Sequence, residues 1–426
     1  MNSVVIIGGG LVGAATALAL HKAGIKSAMY DQVNPMEVVM RGDALEFGES
    51  GGAVMIQAGG LRVLRTLGLL DECLANGLSS PYVTWAKIDG SSEIIGDMRI
   101  WNKKAGETDT RLLTPLHILR SKILIQACHR VGIKTHVGKK LVGVTQDENS
   151  VTATFADGTT ATSDLLIGAD GIHSATRRNV FGENLTAKFT GETGYIGVVN
   201  IKEHNITIKE TDDVAFYIDR DHKYFVAVFK VSPEIAAVRV STFEDPEEED
   251  QSYRPFNDLP KHAGRLADLM QSWGVAPNVV KMMRCAFRIS AASIYDLPDL
   301  ESYNKDRVIL IGDAAHGMVP NAGIGLLTGL EDVGTLLPIL RHYPDGNDWK
   351  KALAMYSKVR VARGTAAANQ ARNMRAKGMA ASVFGGGLNH FVFRLVVAGG
   401  NNGLFTLYTL FDCEEEVSKL IEEESK

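Results

Sequence analysis

A chain of 426 residues that is 45% hydrophobic and 22% charged has apolar material for a large core, and its length points to two intimately packed domains. A formal net charge of −5 leaves no cationic footprint for nucleic acid. Four scattered cysteines, Cys73, Cys128, Cys285 and Cys413, suit a reducing, cytoplasmic setting and exclude a disulfide scaffold or a zinc ribbon.

The first element is "SVVIIGGGLVGAATALAL", residues 3 to 20. A secretory signal would need a basic start and a small-residue cleavage site, and here glycines interrupt the apolar run. The pattern instead predicts a strand over Ser3 to Ile7, a tight turn, and a helix from Leu11 to about Ala23. Gly8, Gly10 and Gly13 fit G-x-G-x-x-G, with Leu11 and Val12 inside the same cofactor-binding turn. Gly8 allows the turn, Gly10 lets a pyrophosphate approach the backbone, and Gly13 packs helix on strand. The helix N-terminus then faces the phosphates. Gly24 ends the helix, "KSAMY" reads as a second strand, and Asp31 closes it where an adenosine ribose is held. Asp31 alone could equally be a strand-end turn former. An acid there selects FAD or NAD over NADP.

Further along, "SVTATFADGTTATSDLLIGADGIHSATRR" (150 to 178) alternates, turns at Asp157–Gly158, and then becomes a continuous apolar strand. Asp170 and Gly171 follow it, at the strand end where open α/β sheets bind ligands, with Ser174 and Arg177 opening a helix. "RVILIGDAAHGMVPNAGIGLLTGLEDV" (307 to 333) repeats this logic. Asp313 is placed to bond a ribityl hydroxyl, while Gly323, Gly325 and Leu326 offer backbone amides to an anion or ring edge. Two such turns on parallel strands imply one extended cofactor crossing the sheet.

With these strings in view, the chain resembles the single-component FAD-dependent monooxygenases, the group typified by para-hydroxybenzoate hydroxylase. "GADGIHSATRR" and "GDAAHGMVP" are specific to that group, and "GGLRVLRTLGLLDE" and "LHILRSKILIQAC" match more softly. The resemblance spans nearly the whole chain. It implies an α/β fold: a Rossmann-like FAD-binding domain at 1–75, 113–182 and 290–345, an inserted β-sheet substrate domain at 76–112 and 183–289, and a helical region at 346–426. It also implies flavin contacts from Arg120 and, less directly, Arg41. "EDPEEEDQ" (244 to 251) reads as a solvated loop, and Tyr356, Arg360 and Arg363 as a surface and packing stripe on a helix.

The implied reaction is hydroxylation. FAD reduced by NAD(P)H reacts with O2 to give a C4a-hydroperoxide, which transfers oxygen to an electron-rich carbon of an aromatic or natural-product-like small molecule. Epoxidation, ring rearrangement and drug inactivation are alternatives on the same scaffold, as is a non-catalytic binding protein. No second dinucleotide turn is visible, so the nicotinamide is expected to visit transiently. Expected catalytic contributors are the carbonyl of Pro320 and a roof-sheet hydroxyl, Tyr217 first and Tyr195 second. Alternation puts Phe216 and Tyr217 on opposite faces, so only one can face the flavin.

Three departures from the family matter. Asp31 stands where glutamate is usual, "GIGLL" replaces G-Q-G-A-N, and Ile196 precedes Gly197 where many members carry arginine. The last removes a cation that would clamp an anionic substrate, which favours a larger, less charged one. No metal site is expected, because the eleven histidines never pair with acids at ligand spacing. The apolar stretch 391 to 411 is broken by Arg394 and "GGNNG", which favours helices on the body over peripheral membrane contact. A monomer or homodimer is expected.

Overall fold

The computed structural model describes residues 3–34, 52–99, 110–219, 222–243, 254–255, 259–343, 348–380, 387–402 and 411–424. Arg41 and the acidic loop at 244–251 lie outside them.

The strand Ser3–Ile7 runs parallel between Lys26–Tyr30 and Leu165–Gly168. Val308–Leu310 and Lys134–His136 extend the sheet on either side, and Asn304–Lys305 adds an antiparallel edge. All four residues of Leu165–Gly168 are buried, which explains their unbroken apolar run. Alternation on Ser3–Ile7 divides two cores. Val4 and Ile6 pack among helices, including Leu11–Lys22 and Gly325–His342. Val5 and Ile7 face a three-stranded antiparallel sheet through Val151, Ala153 and Phe155. Chain segments far apart in sequence thus build one nucleotide-binding layer, whose switch between strands opens on the carboxyl edge.

The roof is an eight-stranded mixed sheet whose long central strand is Lys188–Asn200. That strand pairs antiparallel with Ile235–Thr242 and Arg288–Asp296. The expected boundary at 290 therefore cuts a strand that belongs to the roof. Leu78–Ser80 also departs from expectation, pairing with Arg111–Pro115 in a small sheet with Ala53–Ile56. Helices Leu259–Ser272 and Pro277–Arg284 cover the outer roof face. A side chain at Gly197 would strike Met283 and Ala286, so glycine lets this layer sit close.

The long helix Trp349–Ala380 is not a surface stripe where Arg360 lies: Arg360 is fully buried, and the Tyr356 hydroxyl donates to the Leu310 carbonyl at 3.1 Å. Gly387–Asn401 docks on the roof edge, with the Asp97 N–H donating to Asn401 Oδ1 at 2.6 Å. Among the described residues, no helix is long and apolar enough to cross a membrane.

Candidate active site

The glycine turn divides its labour among three residues. Gly8 has φ +103°, and a Cβ there would lie 2.3 Å from the Ala169 carbonyl oxygen. A Cβ on Gly13 would lie 2.1 Å from the Gly8 oxygen, so helix and strand meet without room for a methyl. Around Gly10, by contrast, nothing lies within 4 Å of such a Cβ. This open side of a helix N-terminus has the shape and polarity to seat a pyrophosphate. The Val12 side chain turns inward against Gly312 and Gly329, bringing the first and second turns into contact. Leu11 packs on the helical core.

Each turn is held by a carboxylate about one βα unit away. Asp31 accepts from the Gly9 N–H at 2.7 Å and from the Val33 N–H at 2.9 Å. One methylene shorter than glutamate, it braces the turn itself, with its remaining lone pairs left for a ribose hydroxyl. Asp332 accepts from the Gly312 N–H at 2.7 Å and from His316 Nε2 at 2.7 Å. Arg360 Nε donates to its other oxygen at 2.6 Å, while Glu331 binds both Arg360 and Arg363. Burial by itself raises the Asp332 carboxyl, but the charges of His316 and Arg360, with hydrogen bonds from His316 and Gly312, hold it below the usual range. Sequence reading missed this network because its acids sit inside a helix, about two turns beyond Gly325, and meet their partners only through tertiary packing.

Arg177 is a second fastener. Its guanidinium donates to the carbonyls of Ala314 and Ala315 at 3.2 and 2.7 Å, and also to that of Pro298. Asp170 faces its own helix: Ser174 Oγ donates to it at 2.5 Å, and the Thr176 N–H at 2.9 Å. Its carboxylate thus braces the first turn of the helix Ala175–Phe181, whose N-cap is Ser174. Arg120 sits in a π-helical stretch, Ile118–Ile125.

Between the second turn and the roof lies a cavity of about 470 Å³. Asp313, Pro320, Gly323, Gly325 and Leu326 form its floor. Gly323 has φ +63°, the left-handed conformation that ends the short turn at Pro320–Ala322. The Pro320 carbonyl accepts from the Gly323 N–H at 3.0 Å, so it closes that turn. Asp313 is exposed to the cavity, and desolvation by the surrounding protein raises its carboxyl above the usual range, against the lowering charge of His316. Asp313→Ala is expected to weaken FAD binding by about 1–3 kcal/mol, as loss of a charge-assisted hydrogen bond does. Dialysis followed by flavin titration measures it; full retention of flavin would remove the assignment.

The roof contributes Gly194, Ile196, Phe229, Ala237, Arg239 and Tyr295 to the cavity, and neither expected tyrosine. Tyr217 is 7% exposed inside the outer core with Val226, Val228 and Met283, and burial pushes its hydroxyl up to about 12. Tyr195 packs on the same face, with Arg265 over its ring at 5.4 Å. The pleat decided this: Phe216 faces inward with Phe229, so its neighbour cannot. Tyr295 lines the cavity instead, its ring edge-on to His173 at 4.6 Å. Burial, then the Arg178 charge, lowers His173 below its usual value. Tyr217→Phe should accordingly leave product yield per nicotinamide unchanged and stability within about 1 kcal/mol. A large loss of product would return the tyrosine to the site.

These features place the chain in a defined group. It belongs to the family described as the FAD binding domain, which matches residues 1–371. It is 29% identical over 367 residues to the FAD-dependent urate hydroxylase of Mycolicibacterium vanbaalenii, covering 84% of each chain. It is likewise 29% identical to salicylate hydroxylase of Pseudomonas putida, over 79% of this chain and 76% of that one. Among solved structures, Klebsiella pneumoniae HpxO complexed with FAD and uric acid superposes with a TM-score of 0.74 at 20% identity, covering 94% of both chains. The likeness to the single-component hydroxylases is thus shown, and FAD is the cofactor. The open side of Gly10 and the cavity-facing Asp313 fit that group.

Proposed function

We propose that the protein is an NAD(P)H-dependent monooxygenase that inserts one oxygen atom from O2 into an aromatic or natural-product-like small molecule. The observation that carries this reading is the cavity itself, walled by the second glycine turn on one side and the inner roof face on the other. Its volume suits a small aromatic or modest polycycle. Bound and reduced flavin supplies the oxygen-transfer chemistry. The protein's part is to place the reacting carbon, exclude water and handle a proton.

The residues present can do this. Ile196, Phe229, Ala237 and Ile294 make an apolar lining that displaces water around a ring. His173, in the cavity lining beside Tyr295, can accept a hydrogen bond from a substrate hydroxyl, and Tyr295 can orient that hydroxyl. At Gly325 nothing lies within 4 Å of a would-be Cβ, so this part of the floor would be open to a flavin ring held there. The test is NAD(P)H consumption by the FAD-loaded protein across a phenol panel, with isotopic O2 tracing the inserted atom. Substrate-stimulated oxidation with one labelled oxygen per product is expected. Oxidation indifferent to every substrate, or product without label, would overturn the reading.

A further inference from the structure

The cation that Ile196 lacks is supplied from the neighbouring strand. Ile196 and Arg239 are directly opposite in the antiparallel pairing, and both line the cavity. The guanidinium lies across Gly194, where a Cβ would come within 3.0 Å of Arg239 Nε, so a side chain there would displace it. Arg239 Nη2 donates to Glu192 Oε1 at 2.9 Å. The other Glu192 oxygen accepts from Arg375 Nε at 3.3 Å, and Arg375 Nη2 also donates to the Thr190 carbonyl at 3.1 Å. One carboxylate therefore stands between two guanidiniums. The carboxylate side chain is 5% exposed, and Arg239 and Arg375 are 13% and 18% exposed.

This cluster carries one positive charge in excess, mostly shielded from solvent and with Arg239 over the Phe225 ring at 5.8 Å. Charge held in that way is costly unless an anion completes it. Arg375 is turned to Glu192 and Thr190 and is not part of the cavity lining, whereas Arg239 is. Only one of its five N–H groups is spent on a described residue, and the planar fork suits a carboxylate. Asp313 stands on the opposite wall, the cofactor's side.

We propose that Arg239 is the specificity-determining residue of this cavity and that it anchors an aromatic substrate by an anionic group, a carboxylate first of all. The inference rests on the monooxygenase reading for the word substrate, and it reverses the expectation of a less charged one drawn from Ile196. Glu192 and Arg375 are positioning residues: they hold the guanidinium over Gly194.

Binding can be read apart from turnover. The FAD-loaded protein is titrated with hydroxybenzoates and with the matching hydroxybenzamides, following the flavin absorbance. Wild type should bind the carboxylates more tightly than the amides. Arg239→Met should weaken the carboxylates about 10–100-fold, the range for losing a charge-assisted hydrogen bond, and change the amides less than about threefold. Glu192 keeps Arg375 in that variant, so no carboxylate is stranded. Arg239→Lys should recover part of the loss. Arg375→Gln, which removes the excess charge without touching the cavity wall, should weaken the carboxylates less than Arg239→Met does and leave the amides unchanged. Equal losses for acids and amides in Arg239→Met, a larger acid loss in Arg375→Gln than in Arg239→Met, or no preference in wild type would each overturn the assignment. Failure of the monooxygenase reading would show separately, as absence of substrate-stimulated NAD(P)H oxidation.

Discussion

Asp332→Ala should cost about 3–5 kcal/mol of stability, the range for removing one member of a buried ion cluster and leaving its partners uncompensated. The carboxylate is fully buried and serves three groups at once: the Gly312 N–H, the His316 ring and Arg360. Its loss leaves two guanidiniums, Arg360 and Arg363, to share Glu331 and frees the N–H that shapes the second turn, so flavin should be lost as well. Asp332→Asn keeps an acceptor and should lose less. The pH dependence follows from the sign of the shift. The folded carboxyl titrates below its unfolded value of about 3.9, so its contribution is complete above that value and disappears as pH falls through the lower folded one. Urea unfolding of apoprotein and holoprotein between pH 3 and 7 measures both effects. A midpoint in Asp332→Ala within experimental error of wild type would mean that the network does not hold the turn.

Gly10→Val and Gly13→Val, three residues apart, should fail in different ways. At Gly10 no protein atom lies within 4 Å of the new Cβ, so the chain should fold and unfold much as wild-type apoprotein does. It would fill the space where a pyrophosphate approaches, and FAD affinity should fall by about 100-fold or more. At Gly13 even the Cβ would overlap the Gly8 oxygen at 2.1 Å, so strand and helix must separate and little soluble protein is expected. Flavin absorbance after purification, beside the thermal unfolding of each apoprotein, separates the two. Wild-type flavin content in Gly10→Val would sink the phosphate-turn assignment.

The parts legible in advance were those written locally. The strand Ser3–Ile7 and the helix beginning at Leu11 lie where glycine spacing and an apolar run put them. The buried strand at Leu165–Gly168 and the hairpin around Asp157–Gly158 are equally local. Each depends on backbone freedom or alternation over a few residues, and neighbours in sequence carry that information. Asp170 was legible as the acid at a strand's carboxyl end, but its bonds to Ser174 and to the Thr176 N–H appear only once the turn is folded.

By itself, then, the sequence determined the cofactor class, the two glycine turns, and the alternation that forbids Phe216 and Tyr217 from sharing a face. Which face is the cavity was decided by tertiary structure, since helices Leu259–Ser272 and Pro277–Arg284 claim the side that carries Tyr217 and Tyr195. Tertiary structure also decided the pairing of Ile196 with Arg239, 43 residues later, and the meeting of Asp332, His316 and Arg360. The physical reason is the same in each case. A side chain's facing along a strand follows from period two, but its neighbours across the sheet follow from register, and register is set by packing of the whole layer.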